Sequence, residues 1–360
     1  MSTSALFEPL TFRRGAAMKN RFAVAPLTNL QSPDEGRLSE DEFNWLVMRA
    51  KGGFGMVMTC AAHVQRTGQG FPGQLGVFSD EHLPGLTRLA TAIKAEGSLA
   101  FTQLHHAGIR SPAELIGGRP VGPSDDAETG SRAMTGGEVE EAIEAYIAAA
   151  ERSQKAGFDG AELHGAHGYL IAQFISPEIN QRTDRYGGSL ENRARFLMEI
   201  IDGVRARCGE DFQLGVRLSP ERFGLKLAEI RDLAAELLAS GKIEFLDLSL
   251  WNAFKEPEEE EFKGRTLASY FTDLPRGETR LGAAGKIMTP GDATRVMEAG
   301  LDFVFLGRAA ILHHDYPKRV LADGGFAPIA LPVTKDYLRQ EGLGEPFVNY
   351  MSTWKGFVAA

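Results

Sequence analysis

The run GFDGAELHG, Gly157–Gly165, and its continuation HGAHGYLIAQFISPEINQRTDRYGGSLENRAR, His164–Arg195, decide how this chain is read. A helix-ending glycine is followed by a short buried strand and then by a loop rich in small residues. The loop sets His164, His167 and Tyr169 just past the apolar run, close enough in sequence to converge on one polar atom. Read as helix, His164 and His167 would share a face and could form a zinc pair, but Gly165 and Gly168 favour a loop.

The same unit recurs outward in both directions. Short apolar, Gly-bounded runs lie at Phe22–Ala25, Met56–Cys60, Leu99–Leu104, Gly160–His164, Gln213–Leu218, Phe245–Leu250, Arg280–Ala284 and Phe303–Leu306. Amphipathic stretches such as Val139–Ala156, Leu190–Cys208, Leu227–Ser240 and Pro290–Ala299 separate them. Eight strands alternating with helices predict an α/β fold, a TIM (β/α)8 barrel. The rival is a doubly wound sheet, which would usually carry a glycine-rich phosphate turn after its first strand, and no GxGxxG follows one here. Linkers long enough to separate domains are missing, so residues 1–360 are expected to form one barrel domain.

Composition narrows the function. The chain has 360 residues, 43% hydrophobic and 24% charged, and a net charge of −9, which does not invite nucleic acid. No apolar run approaches the roughly 18 residues of a membrane span, and the start lacks a signal peptide's apolar centre, so a cytoplasmic location is expected. The only cysteines, Cys60 and Cys208, exclude a disulfide framework and a four-cysteine metal or iron–sulfur site. EPEEEE, Glu256–Glu261, reads as a solvated loop.

The His-x-x-His-x-Tyr spacing followed by SPEINQRTDRYGGSLENRARF resembles the old yellow enzyme family of flavin-dependent ene-reductases. The resemblance runs from PLTN at Pro26 to LGRA ending at Ala309. It implies FMN as cofactor and NADPH or NADH as reductant, with an electrophilic alkene as substrate. Each candidate residue falls at the C-terminal end of a predicted strand, where barrel enzymes keep their chemistry: Pro26, Leu27 and Thr28, then Ala61, Gln103, the His164 cluster, Arg217, Gly285, and Gly307 with Arg308. By resemblance, Thr28 and Gln103 would bond the flavin ring, and Arg217 would offset the negative charge that reduction places on it. Gly285, Lys286, Gly307 and Arg308 would hold the phosphate through backbone N–H groups and cations. His164 and His167 would donate to the substrate oxygen, and Tyr169 would protonate the carbon next to the carbonyl. The opening LFEPLTFRRGAAMKNRF resembles the hairpin that closes the barrel floor.

Departures and alternatives accompany that resemblance. In QLHHAGIR, Ile109 stands like an insertion before Arg110; His105 and His106 read as groups supporting the site from behind or as loop-packing groups, and His63, His82, His313 and His314 as rim or surface residues. Thr28 together with a His–His pair mixes two branches of the family. Trp251 and Phe254 either line the substrate mouth or pack their loop, while Tyr350, Trp354 and Phe357 in the tail are expected to pack the core. Flavin-dependent dealkylation or dehydrogenation of an amine is a second reading, and a metal-dependent hydrolase on the same barrel a third. Homo-oligomerisation stays open.

Overall fold

A computed structural model describes residues 3–33 and 35–359. Its eight barrel strands are β1 (Phe22–Val24), β2 (Met56–His63), β3 (Leu99–His105), β4 (Gly160–Gly165), β5 (Gln213–Leu218), β6 (Phe245–Ser249), β7 (Arg280–Ala284) and β8 (Phe303–Leu306). Every neighbouring pair is parallel and the sheet closes on itself through β1 and β8. All eight predicted runs are strands, so the (β/α)8 expectation holds. Most of these strands are buried on both faces, the pattern of a parallel sheet wrapped in helices.

The helices that complete the ring are α1 (Glu40–Lys51), α2 (Leu83–Ala95), α3 (Gly136–Lys155), α4 (Leu190–Cys208), α5 (Leu227–Ala239), α6 (Ser269–Thr272), α7 (Pro290–Glu298) and α8 (Tyr316–Ala322). Helix α3 begins three residues before its predicted start because Thr135 and Glu138 form a reciprocal capping box that satisfies the first N–H groups. Helix α7 uses the same device through Thr289 and Asp292, with Pro290 in its first turn. After the ring come α9 (Lys335–Gln340) and α10 (Glu345–Ser352). No helix among the described residues is long and apolar enough to cross a membrane.

The expected floor hairpin is reduced to one antiparallel bridge. Leu10 and Met18 exchange backbone bonds of 2.8 and 2.9 Å, and both side chains enter the lower barrel interior beside Met56, Phe101, Phe245 and Phe303. At the other end, the β2–β3 register shifts between Met58 and Ala61, which brings Ala61 opposite Gln103. Such an irregularity re-aims the strand end next to the site.

Candidate active site

A cavity of about 480 Å³ opens at the C-terminal end of the barrel, lined by Pro26, Leu27, Thr28, Ala61, Gln103, His164, His167, Tyr169, Arg217 and Gly285, among others. A second cavity of about 210 Å³ shares Pro26, Leu27, His167, Arg217 and Gly285 with it and adds Lys286, Gly307 and Arg308. The candidate residues named from the sequence therefore line one continuous region built from most of the strand ends.

Its reactive corner is made by the turn after β4. His167 has φ 60°, a left-handed conformation that costs a non-glycine residue about 1–2 kcal/mol. Three contacts hold it: its backbone N–H donates to Ser219 Oγ at 3.0 Å, its carbonyl accepts from Arg110, and its Nε2 lies 2.7 Å from Ser249 Oγ. Its Nδ1 faces His164 Nε2 at 3.3 Å. The two imidazoles thus bond each other, and a substrate oxygen would have to take the place of that contact to receive both donors. Tyr169 stands over the pair, with ring centroids 5.2 Å from His164 and 6.3 Å from His167, and the Arg110 guanidinium sits 5.0 Å from its ring centre.

Burial sets the protonation of this corner. It drives His164 well below the usual imidazole range, with the charges of neighbouring groups adding to the effect, and it takes His167 down to about 3, aided by Arg217 and Arg110. Burial raises the Tyr169 phenol, against an opposing pull from Arg110. Near neutral pH the cluster is two neutral imidazoles and a protonated phenol.

Toward the other end the chemistry changes. The walls of the two cavities carry Arg110, Arg217, Lys286 and Arg308 and no Asp or Glu. Arg308 and Lys286 make no ion pair among the described residues, so the smaller cavity offers cations without competing anions. A Cβ on Gly285 would come within 2.8 Å of Ala253 N, which explains the glycine; one on Gly307 would meet only Leu27, at 3.4 Å. This donor set fits a phosphate, and the apolar lining of Pro26, Leu27 and Ala61 together with the polar Thr28, Gln103 and Arg217 fits an isoalloxazine. The Thr28 side chain is half-buried on the cavity wall, and its hydroxyl makes no hydrogen bond among the described residues.

Several expectations need correction. Expected at the rim or surface, His63, His82 and His313 are buried, with His63 at the rim where β2 ends. Of the two readings open for His105, the structure agrees with the supporting one: it is fully buried behind the cluster, its ring 4.4 Å from that of Tyr169. Trp251 lines both cavities while Phe254 turns away under Arg295. Tyr350 and Trp354 of the tail pack against the core as expected but also line the larger cavity, while Phe357 is buried in the core. Ser219 and Ser249 escaped the sequence reading altogether, although Ser249 ends β6 as predictably as Arg217 approaches the end of β5. Among the described residues no three His, Cys, Asp or Glu side chains gather as metal ligands.

Comparison with known proteins follows the same line. Residues 5–323 match the model of the NADH:flavin oxidoreductase / NADH oxidase family. The chain is 40% identical over 326 residues to a probable NADH-dependent flavin oxidoreductase, YqiG, of Bacillus subtilis (strain 168), covering 88% of this chain and 87% of that one. It is 33% identical over 338 residues to the NADH:fumarate oxidoreductase of Klebsiella pneumoniae (strain 342), covering 89% of this chain but only 36% of that protein. The solved structure of an old yellow enzyme homologue from Zymomonas mobilis superposes with a TM-score of 0.80 at 27% identity, covering 96% of this chain and 99% of that one.

Proposed function

The chain belongs to the NADH:flavin oxidoreductase / NADH oxidase family, that of the old yellow enzymes, and on that premise we propose that it reduces the C=C bond of electron-poor alkenes such as α,β-unsaturated carbonyl compounds. As an NAD(P)H-dependent flavin oxidoreductase it falls outside the metal-dependent hydrolases. FMN held in the paired cavities would supply two-electron redox chemistry between NADPH or NADH and the alkene.

The observation that carries the reading is the convergence of His164, His167 and Tyr169 on one corner of the cavity, with His167 Nδ1 3.3 Å from His164 Nε2 and the Tyr169 ring close to both. Burial disfavours protonation of both imidazoles, so each would offer a hydrogen bond as a neutral group. Aimed at the substrate oxygen, they would withdraw electron density from the conjugated bond and stabilise the oxyanion that develops there. Tyr169 is then the group in this corner with a proton to deliver, and a phenol suits a strongly basic carbon. Lys286 and Arg308 would anchor the cofactor phosphate, while Thr28, Gln103 and Arg217 would orient the ring.

Anaerobic stopped-flow measurement of the two half-reactions tests this. Tyr169→Phe should keep flavin reduction by NADPH or NADH near the parent rate and slow oxidation by a simple enone by about 10²–10⁴-fold, the usual contribution of a general acid. Equal enone rates in parent and variant would put the proton donor elsewhere.

A further inference from the structure

Beneath the cavity lie two acidic groups that the reaction does not use. Glu162 on β4 and Asp247 on β6 are fully buried, and neither is on the cavity wall. Glu162 Oε1 accepts from Gln103 Nε2 at 2.7 Å, while its Oε2 has no partner. Asp247 Oδ2 lies 2.9 Å from Arg217 Nε, but the approach is off the hydrogen-bond direction and both Asp247 oxygens stay unsatisfied. Two carboxyls therefore face a single guanidinium. Ionising both would bury an unbalanced negative charge, and a buried group in that position holds a proton instead.

We propose that Glu162 and Asp247 are positioning residues that share one proton beneath the site, keeping the floor electrically balanced against Arg217 and fixing the directions of Gln103 and Arg217 into the cavity. The charged groups facing Glu162 are Asp247 from β6 and Arg217 from β5; from β3 it meets the Gln103 amide. Burial, then the charge of Asp247, push Glu162 above the usual carboxylate range, and burial pushes Asp247 up against the pull of Arg217. The protons belong to the pair, not to one residue. Because the folded value of Glu162 is raised, its contribution to stability is full below the ordinary carboxylate range and is lost as pH rises through the raised value. Loss of the proton also adds negative charge below the ring, so the potential of the bound flavin should fall. That last step rests on the function proposed above.

Two measurements separate the claims. Infrared difference spectra of the purified protein at neutral pH, in H2O and D2O, should show the C=O stretch of a protonated carboxylic acid, and Glu162→Gln or Asp247→Asn should remove or displace it. No such band in the parent, or a band untouched by both substitutions, would overturn the shared proton whether or not flavin is bound. Flavin midpoint potentials should then fall more steeply with pH through the neutral range in the parent than in Glu162→Gln. Parallel curves would overturn the coupling to the site. A protein that binds no FMN would instead count against the proposed function and leave the infrared result standing.

Discussion

The lower and upper halves of the barrel interior are made by the same strands two residues apart, and they differ completely. Phe101 lies below Gln103 on β3, Gly160 below Glu162 on β4, Gly215 below Arg217 on β5, and Phe245 below Asp247 on β6. Below, rings fill space: a Cβ on Gly215 would come within 2.2 Å of the Phe245 ring, and one on Gly160 within 2.5 Å of Phe101. Glycine on one strand makes room for phenylalanine on the next, closing an apolar layer with Phe303. Above, the same inward positions carry amide, carboxyl and guanidinium. A strand's period of two thus lets one segment supply packing and chemistry without mixing them.

If that division is real, substitutions should damage one half without the other. The largest effect is expected from Phe245→Ala, which leaves a cavity in the lower layer and should cost about 3–5 kcal/mol. Denaturant titration reads the loss, and FMN affinity in the folded variant should stay close to the parent's. A collapse of affinity would show that the layers are coupled. Arg308→Ala should do the reverse, weakening FMN binding by about 1.5–3 kcal/mol through loss of a charge-assisted contact while stability of the flavin-free protein is unchanged. Fluorescence titration decides; equal dissociation constants remove Arg308 from the phosphate.

Ser249→Ala sharpens the contrast within the upper half. It removes the 2.7 Å contact to His167 Nε2 and should weaken binding of phenol-like ligands by about 0.5–1.5 kcal/mol, with no effect on nicotinamide-driven flavin reduction. A change in flavin reduction alone would reassign Ser249. The smallest effect is an absence: with His167 held down to about 3 and His164 well below its ordinary value, binding of those ligands should show no histidine titration between about pH 5 and 7. Stability behaves otherwise. Since unfolding lets both imidazoles take up protons below about pH 6.5, stability should fall as pH falls. Ligand affinity that follows the same acid limb would contradict the neutral assignment.

The strands were legible because buried parallel strands leave uninterrupted apolar runs, and the cluster of Gly165, Ala166, His167 and Gly168 announced a loop. Helix ends were less legible where polar capping residues precede the apolar pattern, as with Thr135 before α3. What the site residues touch was least legible. Tyr350 and Trp354 recur at a spacing that defines a shared face, but periodicity does not say whether that face meets a core or a cavity. Ser219 and Ser249 carry no pattern: each touches His167 from a segment distant in sequence, and Ser249 Oγ also accepts from Arg217. The left-handed backbone at His167 was hidden for the same reason, because histidine gives no local sign of it as glycine would.

The acid-free wall has a kinetic side. An anionic coenzyme diffusing toward this protein first meets the field of a molecule carrying −9, and meets the four cations of the cavity only within about 10 Å at 0.1 M salt. Repulsion at long range and attraction at short range respond to ionic strength at different distances. Modest salt should therefore speed association by screening the outer field, while higher salt should shorten residence by weakening the inner one. A monotonic fall of the association rate from the lowest salt upward would mean that the cavity cations already dominate the approach.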